Sequence, residues 1–181
     1  MLKKVVNIFL GTVITQGSTI LLYMVLARLL PVDDFATFRQ LFLILGILTA
    51  VSFSALPTSL LYFTGRADSE GEKTQYLYLT AVLTVAISIA LSISLYFSSG
   101  WITLLFNNVL LNDVLPWFAL SVMGILTISM MPSVLLALNK THLQVYLAAS
   151  IGLSTTIPCI TLAYYGADLT RIVQLLASIY L

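Results

Sequence analysis

The chain contains long runs without a charged side chain, and these runs decide which solvent it can fold in. Between Arg39 and Arg66 lie 26 residues with no charge, and similar runs recur toward the C-terminus. At about 1.5 Å rise per residue, a helix of that length exceeds the roughly 30 Å hydrocarbon core of a bilayer. The pattern predicts an all-α, polytopic transmembrane helix bundle with the lipid bilayer as its surroundings.

Composition supports this class and excludes several others. Hydrophobic residues make up 60% of the chain and charged ones 8%, against roughly a quarter charged in soluble domains. A net charge of +1 offers no basic stripe for nucleic acid. The single cysteine, Cys159, excludes an internal disulfide, and His142 stands alone in a loop. Because no catalytic motif, phosphate loop or metal-ligand cluster occurs, we expect no enzyme activity, no catalytic or metal-binding residues and no cofactor.

Six membrane spans follow from the charge-free runs. They are predicted at residues 5–30, 40–63, 75–97, 114–138 and 142–165, with a partial span at 169–181. The first apolar run is too long for a cleaved signal peptide, so it is interpreted as a retained span. Residues 32–39 and 65–73 are predicted connections, and residues 101–111 an interfacial segment. Tyr and Trp cluster near the span ends, where aromatic rings favour the headgroups, with Tyr23 as the exception.

Lysine and arginine in the connections predict the orientation of the chain. One side has five, at Lys3, Lys4, Arg66, Lys73 and Lys140. The other has three, at Arg28, Arg39 and Arg171. Because cytoplasmic loops carry the excess of positive charge, the N-terminus is predicted to be cytoplasmic.

The first span carries a polar stripe on one helical face. Its members are spaced three and four residues apart: Thr12, Thr15, Gln16, Thr19 and Tyr23. Lipid offers such groups no hydrogen-bond partner, so the stripe faces either a neighbouring helix or a water-filled cavity. Interhelical hydrogen bonding is one interpretation. The wall of a transport cavity is the other, and it makes Gln16 and Tyr23 candidate substrate-binding residues.

Prolines and one arginine interrupt the apolar runs. Pro57, Pro132 and Pro158 each fall inside a predicted span, where proline weakens a helix, and three such sites favour a bundle that moves. Arg28 precedes the end of the first span by a few residues. Near a span end an arginine reaches the interface at little cost, whereas at the bilayer centre it costs about 2.5–3.5 kcal/mol.

Short motifs along the chain resemble a known family. They are ARLL at residues 27–30, DDFATF at 33–38, LPTSLLYF at 56–63, GR at 65–66, ALNK at 137–140 and GADL at 166–169. Together they resemble the polysaccharide and oligosaccharide flippases (Wzx-type) of the multidrug/oligosaccharidyl-lipid/polysaccharide exporter superfamily. Pro31 and Ala36 stand where that family usually has glycine, so the first connection differs in shape.

The resemblance implies a transporter of the bacterial cytoplasmic (inner) membrane. Its implied substrate is an undecaprenyl-pyrophosphate-linked oligosaccharide, flipped for surface polysaccharide synthesis, and its implied partners are polysaccharide polymerase and chain-length proteins. By position, Arg28 is the first candidate to bind the pyrophosphate and Arg39 the second. Arg39 is equally explained as a connecting residue paired with Asp33 or Asp34. The family has two lobes of about six helices, so the chain is predicted to be most of an N-terminal lobe, ending within its sixth helix.

Two other functions remain open from the sequence. A drug/cation antiporter of the same superfamily is the closer one, but such pumps commonly place an acidic residue inside the N-terminal lobe, and no predicted span here contains one. A non-transporting membrane scaffold subunit is the other, because a single lobe cannot enclose a two-lobe cavity by itself.

Overall fold

The protein is an all-α bundle, described here in a computed structural model. The structure describes residues 2–181, and the side chains of residues 5–50 and 54–181. That part of the chain contains no strand. Its helices are α1 (Leu2–Leu29), α2 (Val32–Phe53), α3 (Leu56–Arg66), α4 (Glu70–Phe97), α5 (Ser99–Phe106), α6 (Leu110–Ser129), α7 (Met131–Ala137), α8 (Thr141–Tyr164) and α9 (Leu169–Tyr180).

Four helical segments of the described chain are long and apolar enough to cross a membrane. They are Val5–Leu29, Glu70–Phe97, Leu110–Ala137 and Thr141–Tyr164, the third being α6 and α7 taken together. The shorter apolar helix α9 corresponds to the partial sixth span. The protein is therefore a membrane protein, as the charge-free runs predicted.

Helix interruptions divide two of the predicted spans. The run from 40 to 63 is split into α2 and α3, with Pro57 in the first turn of α3. The run from 114 to 138 is split at Met130, with Pro132 in the first turn of α7. Pro158, in contrast, lies inside an unbroken α8. Proline is tolerated at the start of a helix because the first N–H groups have no helical acceptor.

The structure corrects three predicted boundaries. Residues 32–39 are not an irregular connection but the first two turns of α2, where Asp33 suits the positive end of the helix dipole. Only residues 67–69 separate α3 from α4, because Ser69 caps α4 by accepting from the Glu72 N–H (3.2 Å). Helix α6 begins at Leu110, four residues before the predicted span at 114–138, and the Asn108 side chain accepts the N–H of Leu110 (3.1 Å).

Helix α6 occupies the centre of the bundle. It packs against α4 on one side and α9 on the other. Helices α1 and α8 pack closely against each other. Ser92 of α4 donates a hydrogen bond to the Ala119 carbonyl of α6 (2.5 Å), which joins those two helices. A Cβ on Gly124 of α6 would lie 2.7 Å from the Tyr180 carbonyl carbon, so α9 can approach only because that residue is glycine.

An aromatic cluster joins α1 and α2 to the central helix. The Tyr23 ring stands edge-on to those of Phe38 and Phe42, with ring centroids 5.9 Å and 5.8 Å apart. Phe42 in turn packs against Phe118 of α6 at 5.9 Å. Edge-to-face pairs of this kind add to the energy of burial. This packing accounts for Tyr23 lying within its span rather than at the headgroup level.

The bundle has two ends, which we call the first and second end. The first end carries the α3–α4 and α7–α8 connections, which meet around a shared pocket lined by Gly65, Lys73 and Asn139. The second end carries the α1–α2, α5–α6 and α8–α9 connections. There the Asn108 amide donates to Thr37 (2.8 Å) and Gln40 (2.7 Å) of α2.

Candidate functional site

The polar stripe of α1 faces two adjoining cavities inside the bundle. The larger cavity, about 340 Å³, is lined from α1 by Gly11, Thr12, Thr15 and Gln16. The smaller cavity, about 110 Å³, is lined from α1 by Thr15, Ser18, Thr19, Leu22 and Tyr23. All five residues of the predicted stripe thus lie on a cavity wall. Because Thr15 and Tyr180 line both cavities, the two are neighbours along α1.

Hydroxyl groups of the stripe make their hydrogen bonds within α1. Thr12 donates to the Ile8 carbonyl (3.0 Å), Thr15 to Gly11 (2.9 Å) and Thr19 to Thr15 (3.0 Å). A threonine on a membrane helix can satisfy its hydroxyl proton on the preceding turn in this way. These three hydroxyls therefore do not donate hydrogen bonds to another helix, which the interhelical interpretation of the stripe would require.

Small residues bring α1 and α8 together beside the cavities. A Cβ on Gly11 would lie 3.1 Å from Cγ of Gln144, and a Cβ on Gly152 would lie 2.5 Å from Oγ of Ser18. Small residues let membrane helices approach closely, and their packing replaces the hydrophobic effect that lipid removes. The two contacts run in the same order along both helices, so α1 and α8 are parallel neighbours.

The opposite wall of the larger cavity is the interruption between α6 and α7. Ile128, Ser129 and Pro132 line the cavity there. Broken helices line solute and ion sites in many transporters because unwound backbone supplies polar groups at membrane depth. Of the two prolines that divide a span, Pro132 is the one on a cavity wall.

The structure separates the predicted site residues into two groups. Gln16 lines the larger cavity and Tyr23 the smaller one. Arg28 and Arg39 line neither cavity, and both are exposed at the second end. Arg28 lies on the outward face with Leu21, whereas Arg39 lies close enough to Tyr23 to act on it electrostatically.

The predicted pairing of Arg39 with an aspartate is not seen. Within the side chains that the structure describes, the one ion pair joins Lys73 to Glu70 (2.6 Å) at the first end. Neither Arg39 nor Arg28 has an acidic partner within 4.0 Å there. Both guanidinium groups are therefore available to an anion from outside the chain.

Three carboxylates lie close together at the second end. Burial raises the pKa of Asp34, and the nearby charges of Asp168 and Asp33 raise it further. The effect of Asp168 shows that the start of α9 lies beside the start of α2. This end of the bundle therefore combines acidic groups around Asp34 with three arginines that have no acidic partner within 4.0 Å among the described residues, Arg28, Arg39 and Arg171.

Several cavity-lining residues were not predicted from the sequence. Gln144 and Thr155 of α8 belong to a face of small and polar residues, Thr141, Gln144, Ala148, Gly152 and Thr155, whose spacing of three and four is a signal that the sequence analysis did not use, whereas Tyr180 of α9 has no such signal. Gln144 is only 7% exposed. A buried glutamine in an apolar run is a weak signal by itself, although lipid exposure of its amide would be costly. Only the pairing of α8 with α1 shows which face it belongs to.

These observations describe a membrane-embedded bundle with a cavity between α1, α6 and α8, whose wall is mostly apolar and carries the polar stripe of α1 on one side. No acidic side chain lines either cavity in the described part of the chain. The comparison with protein-family models, curated proteins and solved structures gives no match.

Proposed function

We propose that the protein is a membrane transporter that flips a lipid-linked oligosaccharide across the bacterial cytoplasmic membrane, with its N-terminus in the cytoplasm. The polar head group passes through the interior of the bundle while the lipid tail stays in the bilayer. The undecaprenyl-pyrophosphate carrier is the part of this proposal that comes from the resemblance of the sequence motifs. The other part, the passage of a polar group, is supported by the polar stripe of α1 on the cavity walls.

The observation that carries the proposal is the polar stripe of α1 on the cavity walls. Thr12, Thr15 and Thr19 direct their hydroxyl protons back to their own helix, so their oxygens do not hold another helix in place. A polar face that borders a cavity inside a membrane is costly unless it meets water or a polar solute. A transported polar solute would supply these groups with hydrogen-bond partners.

Arg39 is the residue best placed to bind a phosphate group at the entrance. It has no acidic partner within 4.0 Å, and it acts on Tyr23, which lines the smaller cavity. Guanidinium groups bind phosphate through paired, charge-assisted hydrogen bonds. Arg28 lies at the same end but on the outward face of α1, so its contribution is expected to be smaller.

The cavity chemistry disfavours the antiporter alternative. Coupling to protons or sodium in such pumps commonly uses an ionisable acid at membrane depth. The acidic residues whose side chains the structure describes lie near helix ends: Asp33, Asp34, Asp68, Glu70, Glu72, Asp113 and Asp168. None of them lines a cavity described above.

Export of surface polysaccharide in a strain lacking the protein tests the proposal. Cells without it are expected to accumulate lipid-linked glycan on the cytoplasmic side, and the wild-type gene should restore export. Arg39→Ala should lower export by about tenfold or more, since a charge-assisted hydrogen bond contributes about 1.5–3 kcal/mol. Arg39→Lys should retain part of the activity because it keeps the charge but not the planar fork.

Arg171→Ala is the matched control, because Arg171 is an exposed arginine of α9 at the same end of the bundle. It should leave export within about twofold of wild type at equal protein level in the membrane. Normal surface polysaccharide in the deletion strain would refute the flippase assignment. Full export by Arg39→Ala would refute only the role of Arg39.

A further inference from the structure

We infer that helix α5 is a membrane-surface anchor, whose outward face lies in lipid at the boundary between headgroups and acyl chains. This face is formed by Trp101, Leu104 and Leu105. An interfacial segment was predicted at residues 101–111, and the structure divides it between α5, a turn and the start of α6. The contact with lipid does not depend on which solute is transported, so it stands apart from the proposed function.

Large apolar side chains cover the outward side of α5. Trp101 is 69% exposed, Leu104 79% and Leu105 63%. On the inward side, Ile102 and Phe106 pack against the core of the bundle. Helix α5 thus has two apolar faces, and the described part of the chain covers one of them. An exposed apolar patch of this kind marks a surface that binds a protein or a membrane.

The outward face of α5 continues the exposed apolar surface of α4. Helix α4 is long and apolar enough to cross a membrane, and its exposed Ile93 and Phe97 lie four residues apart. Beyond the junction at Ser98, Trp101 and Leu105 extend the same spacing. Because a membrane span meets lipid along its exposed apolar side, the bilayer is the surface that α5 meets next.

Charged residues on either side of α5 indicate its depth in the bilayer. Lys73, near the start of α4, is the last charged residue before α5, and Asp113, in the first turn of α6, is the next one. From Lys73 to Phe97 the helix extends about 36 Å, just beyond the roughly 30 Å hydrocarbon core. The junction between α4 and α5 is therefore expected at the headgroup level, where tryptophan is favoured.

Two polar side chains of this region donate their hydrogen bonds within the bundle. Thr103 donates to the Ser99 carbonyl (2.8 Å), and the Asn108 amide donates to Thr37 and Gln40 of α2. The Asn108 contacts hold the end of α5 on the bundle, so its outward face keeps one direction. Acyl chains offer no hydrogen-bond partner, whereas protein interfaces carry about one hydrogen bond per 100–200 Å². The outward face of α5 therefore suits lipid better than a second copy of this chain or another protein.

An anchor at this position would hold the second end of the central helix at a fixed depth. Helix α5 packs against α6, and the short turn at residues 107–109 leads directly into α6. The tilt of a membrane helix is set by its packing and by interfacial aromatic residues. Trp101 is therefore expected to fix the tilt of α6 and of the helices packed on it.

Depth-dependent quenching of Trp101 fluorescence in lipid nanodiscs tests the inference. The chain has two tryptophans, so Trp117→Phe leaves Trp101 as the single emitter. The lipids carry a nitroxide on the headgroup, high on the acyl chain or at mid-chain. We expect blue-shifted emission relative to tryptophan in water, and stronger quenching by the two upper labels than by the mid-chain label.

Trp101→Phe is the reference variant, because it leaves Trp117 of α6 as the single emitter. Trp117 is exposed and lies four residues after Asp113, about 6 Å further along the helix into the bilayer. Its maximum of quenching should therefore lie closer to mid-chain than that of Trp101.

Leu104→Gln and Leu104→Met form a matched pair of variants. Glutamine and methionine have similar length and helix propensity, so they differ mainly in polarity. If Leu104 faces lipid, the glutamine variant should melt at a lower temperature than the methionine variant, because moving an amide out of water is costly. If Leu104 faces water, the two variants should melt together.

Each outcome decides the matter. Emission as in water, without quenching by any label, would overturn the inference by placing α5 in water. Strongest quenching by the mid-chain label would overturn it by placing α5 inside the hydrocarbon core. Blue-shifted emission without quenching would overturn it in favour of a protein that covers α5. Equal melting of the two Leu104 variants would contradict the contact of that residue with lipid. None of these measurements involves polysaccharide export, so the flippase proposal stands or fails separately.

Discussion

Single small residues set how closely α1 and α8 approach, and so they shape the site. Gly11 makes room for the Gln144 side chain, and Gly152 makes room for Ser18. In water the hydrophobic effect would hold two such helices together over a range of distances, but in lipid their association depends on close packing. One added methyl group at the contact therefore has a direct effect on the helix pair that forms the cavity wall.

Gly152→Ala is expected to destabilise the protein by about 1–3 kcal/mol, the usual effect of overpacking a tight contact. The new Cβ would lie 2.5 Å from Oγ and 3.1 Å from Cβ of Ser18. Adding Ser18→Gly should restore much of the loss by removing both atoms. Thermal unfolding in nanodiscs measures each variant.

Gly17→Ala is the control for that experiment, because nothing lies within 4 Å of a Cβ at Gly17 of α1. It should be neutral or slightly stabilising, since alanine favours a helix over glycine. If Gly152→Ala matched this control, the close contact between α1 and α8 would be refuted.

Helix interruptions show how far the sequence predicts individual elements. The charge-free run at residues 40–65 predicted one span, but the chain forms α2 and α3 with a break between them. Pro57 and Pro132 lie at such breaks and Pro158 does not. Proline removes one N–H wherever it stands, but whether the helix ends there depends on what neighbouring helices offer the freed carbonyls. That information is tertiary, so the residue type alone could not supply it.

The candidate site was predictable on α1 and not elsewhere. Thr12, Gln16 and Tyr23 recur at helical spacing, so periodicity alone placed them on one face, and the structure puts that face on the cavities. The facing residues of α8, such as Gln144 and Thr155, share a face on which small residues alternate with polar ones, so their polar periodicity is weaker than that of α1. Their membership in the site follows from the pairing of α8 with α1, which sequence order does not reveal.

The start of α2 is expected to make stability depend on pH. The folded pKa of Asp34 is raised, first by burial and then by Asp168 and Asp33, so the folded state binds a proton more tightly than the unfolded chain. Ionised Asp34 therefore destabilises the fold near neutral pH, and the free energy of unfolding rises as pH falls through the folded pKa. Asp34→Asn should raise the melting temperature at pH 7, with a gain that shrinks as the pH approaches 4.

Asp168→Asn is the informative comparison for that experiment. It removes one of the two repelling charges but leaves Asp34 buried as before, so part of the pH dependence should remain. An unchanged pH profile in Asp34→Asn would show that the aspartate does not titrate with folding. The measurement is thermal unfolding of each variant between pH 4 and 7.

At the scale of the whole molecule, the bundle brings together helices that are far apart in sequence. α1 pairs with α8, and the central α6 separates α4 from α9. The connections at the first end include Arg66, Lys73 and Lys140, and those at the second end Arg28, Arg39 and Arg171, in agreement with the two sides counted from the sequence. Lys3 and Lys4, the other two of the five residues counted on one side, lie outside the side chains that the structure describes.

Site-directed labelling tests whether the divided pair α2 and α3 crosses the membrane. Cys159 is fully buried, so an added cysteine is the one expected to react with a membrane-impermeant maleimide. Asp33→Cys, exposed at the second end, should be labelled in intact cells. Asp68→Cys, exposed at the first end, should be labelled only after the membrane is opened. If Asp33→Cys and Asp68→Cys were labelled from the same side, α2 and α3 would not cross the membrane. If only Asp68→Cys were labelled in intact cells, α2 and α3 would still cross, but the N-terminus would lie outside the cell.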